Sequence, residues 1–342
     1  MKKIILYFLT AVLVVALLVS LWGYRTLYGV NVYPLKQQQP VFIPTGSSYQ
    51  QVLDSITANL NIKNIRVLEW VAMKKDYPSR IKAGKYIIDK GISYNELVNI
   101  LRSGHQTPVR LTFSNIRTIN QLAARAAGKL EADSMKIMDF FTNETNFSAD
   151  GFSQDNIIAL FIPDTYEFFW NTDANGFYKR MLKEYRQFWD ATRLSKAHEK
   201  GLTPVEVSTL ASIIDDEVAK KDEKPKIAGV YLNRLKRGMP LQACPTIKFA
   251  LNDFTITRVL FKHLEIESPY NTYKHSGLPP GPIGCASVDG IDAVLNADDS
   301  DYIFFAAKAD FSGYHNFSRT LAEHNRYAAL YQKELDRRRI FK

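Results

Sequence analysis

Residues 203–218 read TPVEVSTLASIIDDEV and predict a helix whose register is set by its own first turn. Thr203 suits the N-cap, Pro204 the first helical position and Glu206 the third, where its carboxylate can complete a capping box. Because each residue advances about 100° around a helix, the apolar side chains form one stripe. That stripe consists of Val207, Leu210, Ala211, Ile214 and Val218.

Three consecutive acids end this segment and occupy different faces of the predicted helix. Asp216 points away from the apolar stripe, towards solvent, and Asp215 lies at one edge of it. Glu217 lies at the other edge, one turn after Ile213. Glu217 is therefore the carboxylate that is predicted to lean against apolar side chains.

A carboxyl group in apolar surroundings resists ionisation, which makes Glu217 a candidate general acid. Desolvation penalises the charged form, and in favourable cases it raises the pKa to about 6, so that the group still holds a proton near neutral pH. A structural interpretation stays open. In it, residues 210–226 form a solvated run of acids and lysines, and Glu217 snorkels or joins a salt bridge.

The composition restricts the class of protein. A chain of 342 residues with 46% hydrophobic and 12% aromatic residues is long enough for two packed domains, and such a composition excludes a disordered protein. Lys and Arg number 44 against 35 Asp and Glu, a net charge of +9. That charge suits an anionic membrane surface, an acidic polymer or nucleic acid. No nucleic-acid-binding motif is present, so nucleic acid is not expected as a partner.

The N-terminus predicts a membrane anchor. After Lys2 and Lys3, the run from Ile4 to Trp22 is almost entirely apolar, and roughly 19 such residues match a membrane-spanning helix. A cleaved signal peptide is the alternative, but the bulky residues that end the run offer no small-residue cleavage site. With both lysines inside, the chain after about Arg25 is predicted to lie outside the cytoplasm.

Cysteine and histidine give little evidence of a special site. An extracytoplasmic compartment permits disulfides, so Cys244 and Cys285 either form one bridge or remain two separate buried thiols. The six His and two Cys are scattered without the spacing of metal ligands, which predicts that no metal is bound.

Residues 40–107 predict a small βααβ module. A polar segment that ends in 37-QQQ-39 precedes it and predicts a tether over residues 26–39. A further helix begins at Ser93, with Glu96 completing a capping box. The module resembles the LysM-like domain that precedes the catalytic part of membrane-bound murein transglycosylases. Its predicted elements are a strand at 40–45, a helix from about Ser48, a helix at about 65–75 and a strand at 83–89.

Motifs in the second half of the chain match one family in order and spacing. They read 211-ASIIDDE-217, 231-YLNRLKRGMPLQ-242, 245-PT-246, 269-PYNTY-273, 277-GLPPGPI-283 and 315-HNFSRTLAEHN-325. With them, the chain resembles the YceG-like (MltG) endolytic murein transglycosylases from the anchor nearly to the C-terminus. The essential Glu of that family is the last acid of the first motif, which corresponds to Glu217.

The resemblance implies a lytic transglycosylase that cuts the MurNAc–GlcNAc β-1,4 bond of nascent peptidoglycan strands without water. Glu217 would protonate the glycosidic oxygen and then take a proton from the MurNAc C6 hydroxyl, which attacks C1 and leaves a 1,6-anhydroMurNAc end. No cofactor is implied. The resemblance also implies a single-pass protein of the cytoplasmic (inner) membrane, with a periplasmic catalytic domain that works beside glycan polymerases such as penicillin-binding proteins.

Polar side chains of the motifs are the candidate sugar-binding residues. Two of them, in 269-PYNTY-273, have a structural alternative, since a turn of this kind caps its own backbone. Another lies in a helix that Thr320 and Glu323 are predicted to cap, and there its amide can be satisfied internally. The candidates are Gln242, Thr246, Asn271, Tyr273, His315 and Asn325.

The sequence departs from the family pattern at two positions. Asp215 stands where the family has Glu, and Cys244 stands where it has the Asp of a Thr-Asp-Pro-Thr motif. Any role of that second acid in orienting Glu217 or the sugar is therefore open. Two other functions also stay open: a non-catalytic peptidoglycan-binding scaffold, and a muramidase that uses water with Asp215 or another acid as partner.

The predicted fold class is α+β. The chain divides into an anchor at 1–25, the tether at 26–39, the LysM-like βααβ module at 40–107 and a mixed α+β, YceG-like catalytic domain at 108–342.

Overall fold

The computed structural model describes residues 2–256 and 258–338, with Lys2 described by its backbone alone. Met1, Thr257 and residues 339–342, which fall within the predicted ranges 1–25 and 108–342, lie outside the described residues. The chain divides into two compact units. The first contains the chain up to Leu111 with Lys129–Ala132 and Glu167–Asp173, and the second contains Thr112–Gly128, Asp133–Tyr166 and the chain from Ala174 onward.

The first unit begins with a long helix and continues as a small αβ module. The predicted strand, two helices and strand are present in that order, with an additional short strand between the two helices, and a helix follows Ser93 as predicted. Its elements are α1 (Lys2–Tyr28), β1 (Val32–Pro34), β2 (Gln39–Ile43), α2 (Tyr49–Asn59), β3 (Leu60–Ile62), α3 (Ile65–Lys74), β4 (Gly84–Ile88) and α4 (Tyr94–Ser103).

Two antiparallel strand pairs organise the module. β2 pairs with β4, with Val41 opposite Tyr86, and β1 pairs with β3, with Val32 opposite Ile62. Alternate strand residues face a common apolar core, as expected for a sheet that is covered on one side. Core members include Val41, Ile43, Leu68, Tyr86 and Leu97. The resemblance of the module to a LysM domain remains a prediction.

The segment predicted as a tether, residues 26–39, is part of the folded unit. Helix α1 continues to Tyr28, and the side chain of Leu27 packs against the module core. Val32 is fully buried, and its N–H donates to the carbonyl of Ile92 at 3.0 Å. The polar 37-QQQ-39 run is typical of an exposed linker, but the burial of Val32 ties this segment to the module.

Helix α1 has the dimensions of a membrane span. The stretch Lys3–Tyr28 is 26 residues long, the mean hydropathy of its most apolar 18-residue window is 2.9, and none of that window is buried by the protein. At 1.5 Å per residue, such a helix exceeds the roughly 30 Å hydrocarbon thickness of a bilayer. Length and composition are thus consistent with a single-pass anchor.

The second unit is a mixed α+β domain rich in helices. The strand β5 (Val109–Thr112) leads into it and forms a two-stranded sheet with β6 (Thr165–Phe168). A hairpin of β7 (Phe304–Ala307) and β8 (His315–Ser318) precedes the last helix. The helices are α5 (Ile119–Ala127), α6 (Ser134–Thr142), α7 (Ala174–Phe188), α8 (Ala191–Glu199), α9 (Pro204–Glu217), α10 (Lys224–Lys236), α11 (Cys244–Ala250), α12 (Val288–Leu295) and α13 (Leu321–Arg337).

Helix α9 lies in the middle of the second unit and packs against α8, α10, α11 and α12. The predicted apolar stripe is buried, and the burial extends around the helix to every residue from 207 to 214. The polar residues in this range satisfy their hydroxyls on the helix itself. Ser208 donates to the Pro204 carbonyl at 3.0 Å, and Thr209 donates to the Val205 carbonyl at 2.8 Å. This local bonding allows a sequence with three hydroxyl residues to form a central helix.

Candidate active site

Glu217 is the last residue of α9, and its placement follows from the helix start. Thr203 Oγ1 accepts from the Glu206 N–H at 3.3 Å, and the Glu206 carboxylate accepts from the Thr203 N–H at 2.7 Å. This capping box sets the predicted register. At Val218 the backbone becomes extended (φ −136°, ψ 129°), so the helix ends immediately after the acid.

Glu217 is partly exposed as a residue, but its carboxyl group is buried among side chains from other segments. It interacts electrostatically with Tyr231 of α10, with Cys244 and Lys248 of α11, and with Tyr273. Across the residues that the structure describes, no hydrogen bond or ion pair holds it. The group is therefore free to exchange a proton with a bound ligand.

Burial raises the pKa of Glu217 from its usual 4.5 to about 7. The ammonium of Lys248 opposes this rise, and the carboxylate of Asp216 adds to it. The C-terminal end of α9 carries partial negative charge, which also disfavours a carboxylate there. At neutral pH both protonation states of Glu217 are populated, as a residue that first gives and then takes a proton requires.

The neighbouring acid Asp215 is tied into the fold. Its Oδ1 lies 2.6 Å from Lys224 Nζ and accepts from the Ser287 hydroxyl at 2.8 Å, and its Oδ2 accepts from the Ser287 backbone N–H at 2.6 Å. The approach of α12 is close, since a Cβ at Gly290 would lie 2.5 Å from Oδ1. Asp215 thus joins α9 to α10 and α12, and both of its oxygens are engaged.

Asp216 lies towards solvent, as the helical periodicity predicts, and it also has an ion-pair partner. The residue is exposed, but both of its oxygens face the guanidinium of Arg117, one of them at 3.0 Å from Nη2. Arg117 in turn lies over the ring of Phe254, 4.6 Å from the centroid. The partner lies 99 residues away in sequence, so the helical periodicity that placed Asp216 could not reveal it.

Two predicted sugar-binding residues, Gln242 and Thr246, contact the same residue, Thr272. The N–H of Gln242, which has a left-handed backbone (φ +53°), donates to the Thr272 carbonyl at 2.9 Å. Thr246 is fully buried, its Oγ1 lies 2.9 Å from Thr272 Oγ1, and it donates to the Ala243 carbonyl at 2.8 Å. Gln242 is exposed. Thr246 supports the loop from inside the fold, and its assignment as a sugar contact stays a prediction.

Asn271 braces its own loop, and its assignment as a sugar contact likewise stays a prediction. It is fully buried, and its amide donates to the carbonyls of Leu264 and Ile266 at 2.8 and 2.9 Å. Its Oδ1 accepts from the N–H of Tyr273 at 3.0 Å. This is the turn-capping alternative, and it leaves Tyr273 as the residue of 269-PYNTY-273 that reaches Glu217.

Tyr273 and Cys244 form a neutral pair beside Glu217. The Tyr273 hydroxyl lies 3.2 Å from Cys244 Sγ. Burial raises the pKa of the Tyr273 phenol and of the Cys244 thiol, so both groups stay uncharged at neutral pH. The position that carries Asp in the family thus contributes a hydrogen-bonding thiol and no charge.

Ser212 and Arg234 are supporting residues that the sequence reasoning missed. Ser212 Oγ, buried in α9, accepts from the N–H of Ile283 at 3.0 Å and so attaches the 277–283 loop to α9. Arg234, also buried, donates to the carbonyls of Ile303 and Leu241 at 2.7 and 2.8 Å. Its place inside the quoted NRLKRG motif was a signal, but a motif alone does not separate a supporting cation from a ligand-binding one.

The two candidates near the C-terminus differ in their surroundings. His315 Nδ1 lies 2.9 Å from a carboxylate oxygen of Glu223, whose other oxygen accepts from the His315 N–H at 2.9 Å. This pair links β8 to the segment that follows Glu217. Asn325 is exposed on α13, whose first turn has the predicted capping box of Thr320 and Glu323.

The cysteines are separate thiols. Cys244 lies beside Tyr273, whereas Cys285 lies near the backbone of Ile158, and burial raises the pKa of the Cys285 thiol to about 12. Among the described residues, no group of three or more His, Cys, Asp or Glu side chains is arranged to hold a metal ion.

Most of the chain is similar to known sequences. The profile of the YceG-like family matches residues 41–329. An endolytic murein transglycosylase of Bacillus subtilis (strain 168) is 31% identical over 305 residues, which cover 84% of this chain and 83% of that protein. An endolytic murein transglycosylase of Streptococcus pneumoniae (strain D39) is 29% identical over 307 residues, which cover 80% of this chain and 54% of that protein. The chain therefore spans about half the length of the pneumococcal relative.

A solved structure shares the architecture. The 2.6 Å crystal structure of a putative YceG-like protein from Listeria monocytogenes has a TM-score of 0.56 and 25% sequence identity. The match covers 85% of this chain and 98% of that one.

Proposed function

The chain belongs to the YceG-like family, and we propose that it is an endolytic murein transglycosylase, a lytic enzyme that acts on peptidoglycan. The family match over residues 41–329 and the relatives of that name support the general activity. The observation that carries the proposal within this chain is the carboxyl group of Glu217, which has no partner among the described residues and whose pKa burial raises to about 7.

In the first chemical step, Glu217 acts as a general acid. Its proton goes to the oxygen of the MurNAc–GlcNAc β-1,4 bond, that C–O bond breaks, and C1 of MurNAc becomes an oxocarbenium-like centre. The sugar's own acetamido oxygen supports this centre. The raised pKa favours the step, since a Glu at its usual pKa would hold almost no proton at pH 7.

In the second step, the same carboxylate acts as a base. It takes the proton of the MurNAc C6 hydroxyl, whose oxygen bonds to C1 and closes a 1,6-anhydro ring, so the proton that was given up is recovered. Ordinary glycosidases use a second carboxylate for this half of the reaction. In the described part of the chain, the nearest acids in sequence, Asp215 and Asp216, are held by Lys224 and Arg117. Their engagement favours attack by the sugar hydroxyl over attack by activated water.

Sugar contacts are proposed for the accessible polar residues of the site. Gln242 is exposed beside the loop that Thr272 organises, and Tyr273 lies within electrostatic reach of Glu217. His315 and Asn325 remain predicted contacts at the C-terminal part of the domain. Each of these offers amide, phenol or imidazole groups of the kind that bind sugar hydroxyls.

Helix α1 is proposed to hold the enzyme at the cytoplasmic membrane, with the catalytic unit on the periplasmic side. A retained anchor is favoured over a cleaved signal peptide because α1 continues past the apolar run into Leu27, which packs on the module core. Such tethering restricts cleavage to glycan near the membrane, where glycan polymerases are the proposed partners. A form released by an engineered cleavage site tests this. Unchanged positions of new glycan ends in cells, at equal protein abundance, would refute the restriction.

The products of the reaction test the activity itself. Uncrosslinked glycan incubated with the full chain in detergent should yield 1,6-anhydroMurNAc ends by mass spectrometry. Reducing MurNAc ends would identify a muramidase. An unchanged glycan, with binding intact, would identify a non-catalytic scaffold.

A further inference from the structure

A basic pocket lies in the first unit, in residues to which the proposed function assigns no role. Its volume is about 620 Å³, within the range of ligand-binding clefts. It lies between the short 3-10 turn Pro78–Arg80 and the last turn of α4. The residues that line it are Ser79, Arg80, Ile81, Lys82, Asn99, Arg102 and Ser103.

The lining combines three cations without an acid. Arg80, Lys82 and Arg102 are basic, and none of the seven lining residues, all of which the structure describes, is acidic. The nearest carboxylate with a known contact is that of Asp76, which lies 3.3 Å from Arg80 Nε and also interacts electrostatically with Arg102. Both side chains of the Arg80–Asp76 pair are more than half exposed. Such an exposed pair is weak, so the pocket keeps a net positive charge.

One buried donor in the pocket lacks an acceptor. Arg102 Nε is buried without a hydrogen-bond partner in the described residues. The Oδ1 of Asn99 accepts from Lys75 Nζ at 2.6 Å. The NH₂ group of Asn99 is therefore the part of this side chain that is left to donate to a ligand. A buried donor without a partner is costly, and a ligand made of acceptors would relieve that cost.

Helix electrostatics account for part of this arrangement only. A cation in the last turn of a helix is favoured by the partial negative charge there, and Arg102 occupies such a position in α4. Lys82 comes from a different segment. Its chain passes beside Gly104, where the backbone is left-handed (φ +76°) and a Cβ would lie 3.4 Å from Lys82 Cγ. Two separate segments therefore direct cations to one cavity.

We propose that the basic pocket binds a carboxylate of the murein stem peptide. The proposal rests on the proposed function, since the glycan strand that the enzyme cuts carries these peptides. A carboxylate matches the unpaired guanidinium and amide donors. A second attachment point on the same strand would raise its effective concentration at the catalytic unit. A lipid headgroup fits less well, because Ile81 is the one apolar residue of the lining and acyl chains need adjoining apolar surface.

Binding is measured on the full chain with Glu217→Gln, in micelles of a neutral detergent, so that no cleavage interferes. The probe is soluble N-acetylmuramyl pentapeptide, titrated by calorimetry. Arg102→Met and Lys82→Met should each weaken binding about tenfold or more, since each removes a charge-assisted hydrogen bond. The matched control is Lys90→Met, which removes an exposed cation of the same unit that does not line the pocket, and it should bind as the parent does.

A second comparison changes the probe and leaves the protein unchanged. A pentapeptide whose carboxylates are amidated should bind at least tenfold more weakly than the free acid. Equal binding of the two probes, or wild-type binding by both folded pocket variants, would overturn the proposal. Binding of phosphatidylglycerol added to the micelles, or of inorganic phosphate, in place of the pentapeptide would overturn it in favour of a phosphate site. Glycan cleavage by Arg102→Met, with Glu217 intact, is assayed separately on peptide-free glycan. That activity does not depend on the pocket, so a failure of the pocket proposal would leave the proposed function unaffected.

Discussion

The carboxyl groups of Asp215 and Glu217 lie two residues apart at the end of α9 and have opposite surroundings. Asp215 accepts hydrogen bonds from Lys224 and Ser287, whereas Glu217 has no partner in the described part of the chain. Burial raises the pKa of Glu217 to about 7. One acid therefore stabilises the packing of three helices, and the other stays available for proton transfer.

Glu217 should destabilise the folded protein at alkaline pH. Its pKa in the folded state, about 7, lies above its ordinary value of 4.5, so its contribution to stability is complete below about pH 4.5 and is lost as pH rises through 7. Glu217→Gln should therefore be more stable than wild type at pH 8, by roughly 1–3 kcal/mol, and similar at pH 4. Urea unfolding at both values checks this. A Gln variant that is less stable at pH 8 would contradict the burial argument.

Lys248→Met should shift the pH profile of cleavage upward. The Lys248 ammonium lowers the pKa of Glu217, so its removal lets that pKa rise, by up to about one unit. The enzyme should then retain its general acid to higher pH. The measurement is the rate of glycan cleavage between pH 5 and 9, with Lys262→Met, an exposed lysine, as the control.

Asp216→Asn should shift the same profile in the opposite direction. The carboxylate of Asp216 raises the pKa of Glu217, and its loss also leaves the Arg117 guanidinium unpaired nearby. Both changes favour ionised Glu217, so activity should fall at a lower pH than in wild type. Because the pair is partly exposed, the cost in stability should stay within about 1 kcal/mol. An unchanged profile with a large loss of stability would mean that the pair serves the fold alone.

Asp215→Asn should act through stability. It leaves the ammonium of Lys224, whose side chain is 9% exposed, without its ion-pair partner, at a cost of about 3 kcal/mol. Adding Lys224→Met should recover part of the loss, because the unpaired charge is removed as well. Denaturant unfolding of the single and double variants measures this, and Asp89→Asn, at an exposed acid, is the control. A stable but inactive Asp215→Asn enzyme would instead support the muramidase alternative.

The local signals of the sequence carried the prediction of Glu217. The capping residues Thr203 and Glu206 set the register of α9, and that register placed Glu217 against the core because a helix has a fixed angular step. The order of strands and helices in the βααβ module could be predicted for the same reason, since helices and strands differ in hydrophobic periodicity and in capping residues.

What the sequence could not supply were partners distant along the chain. Nothing local to Asn271 indicates that Leu264 and Ile266 take its amide, and nothing near Asp216 indicates Arg117. The burial of Val32 depends on Ile62 and Ile92, which is why residues 26–39 were assigned to a tether. Polar residues in a motif are equally suited to bind a ligand or to brace a loop, and three-dimensional contacts distinguish these roles.

Both cysteines should be free in the purified protein. Cys244 and Cys285 contact different parts of the second unit, Tyr273 and the backbone of Ile158. Alkylation of the denatured protein without reductant, followed by mass analysis, should show two modified thiols. If Cys244 and Cys285 were alkylated only after reduction, they would form a disulfide, and the site would be arranged differently from this structure.

The central claim is that the one carboxyl group of Glu217 serves both halves of an anhydro-forming cleavage. Its most direct test is to incubate wild type and Glu217→Gln with uncrosslinked glycan in water enriched in heavy oxygen, and to weigh the new ends by mass spectrometry. The wild type should leave 1,6-anhydroMurNAc ends that carry no heavy oxygen, and the Gln variant, folded but without a proton to donate, should leave none. Heavy oxygen in reducing MurNAc ends, or cleavage by the Gln variant at near the wild-type rate, would contradict the account.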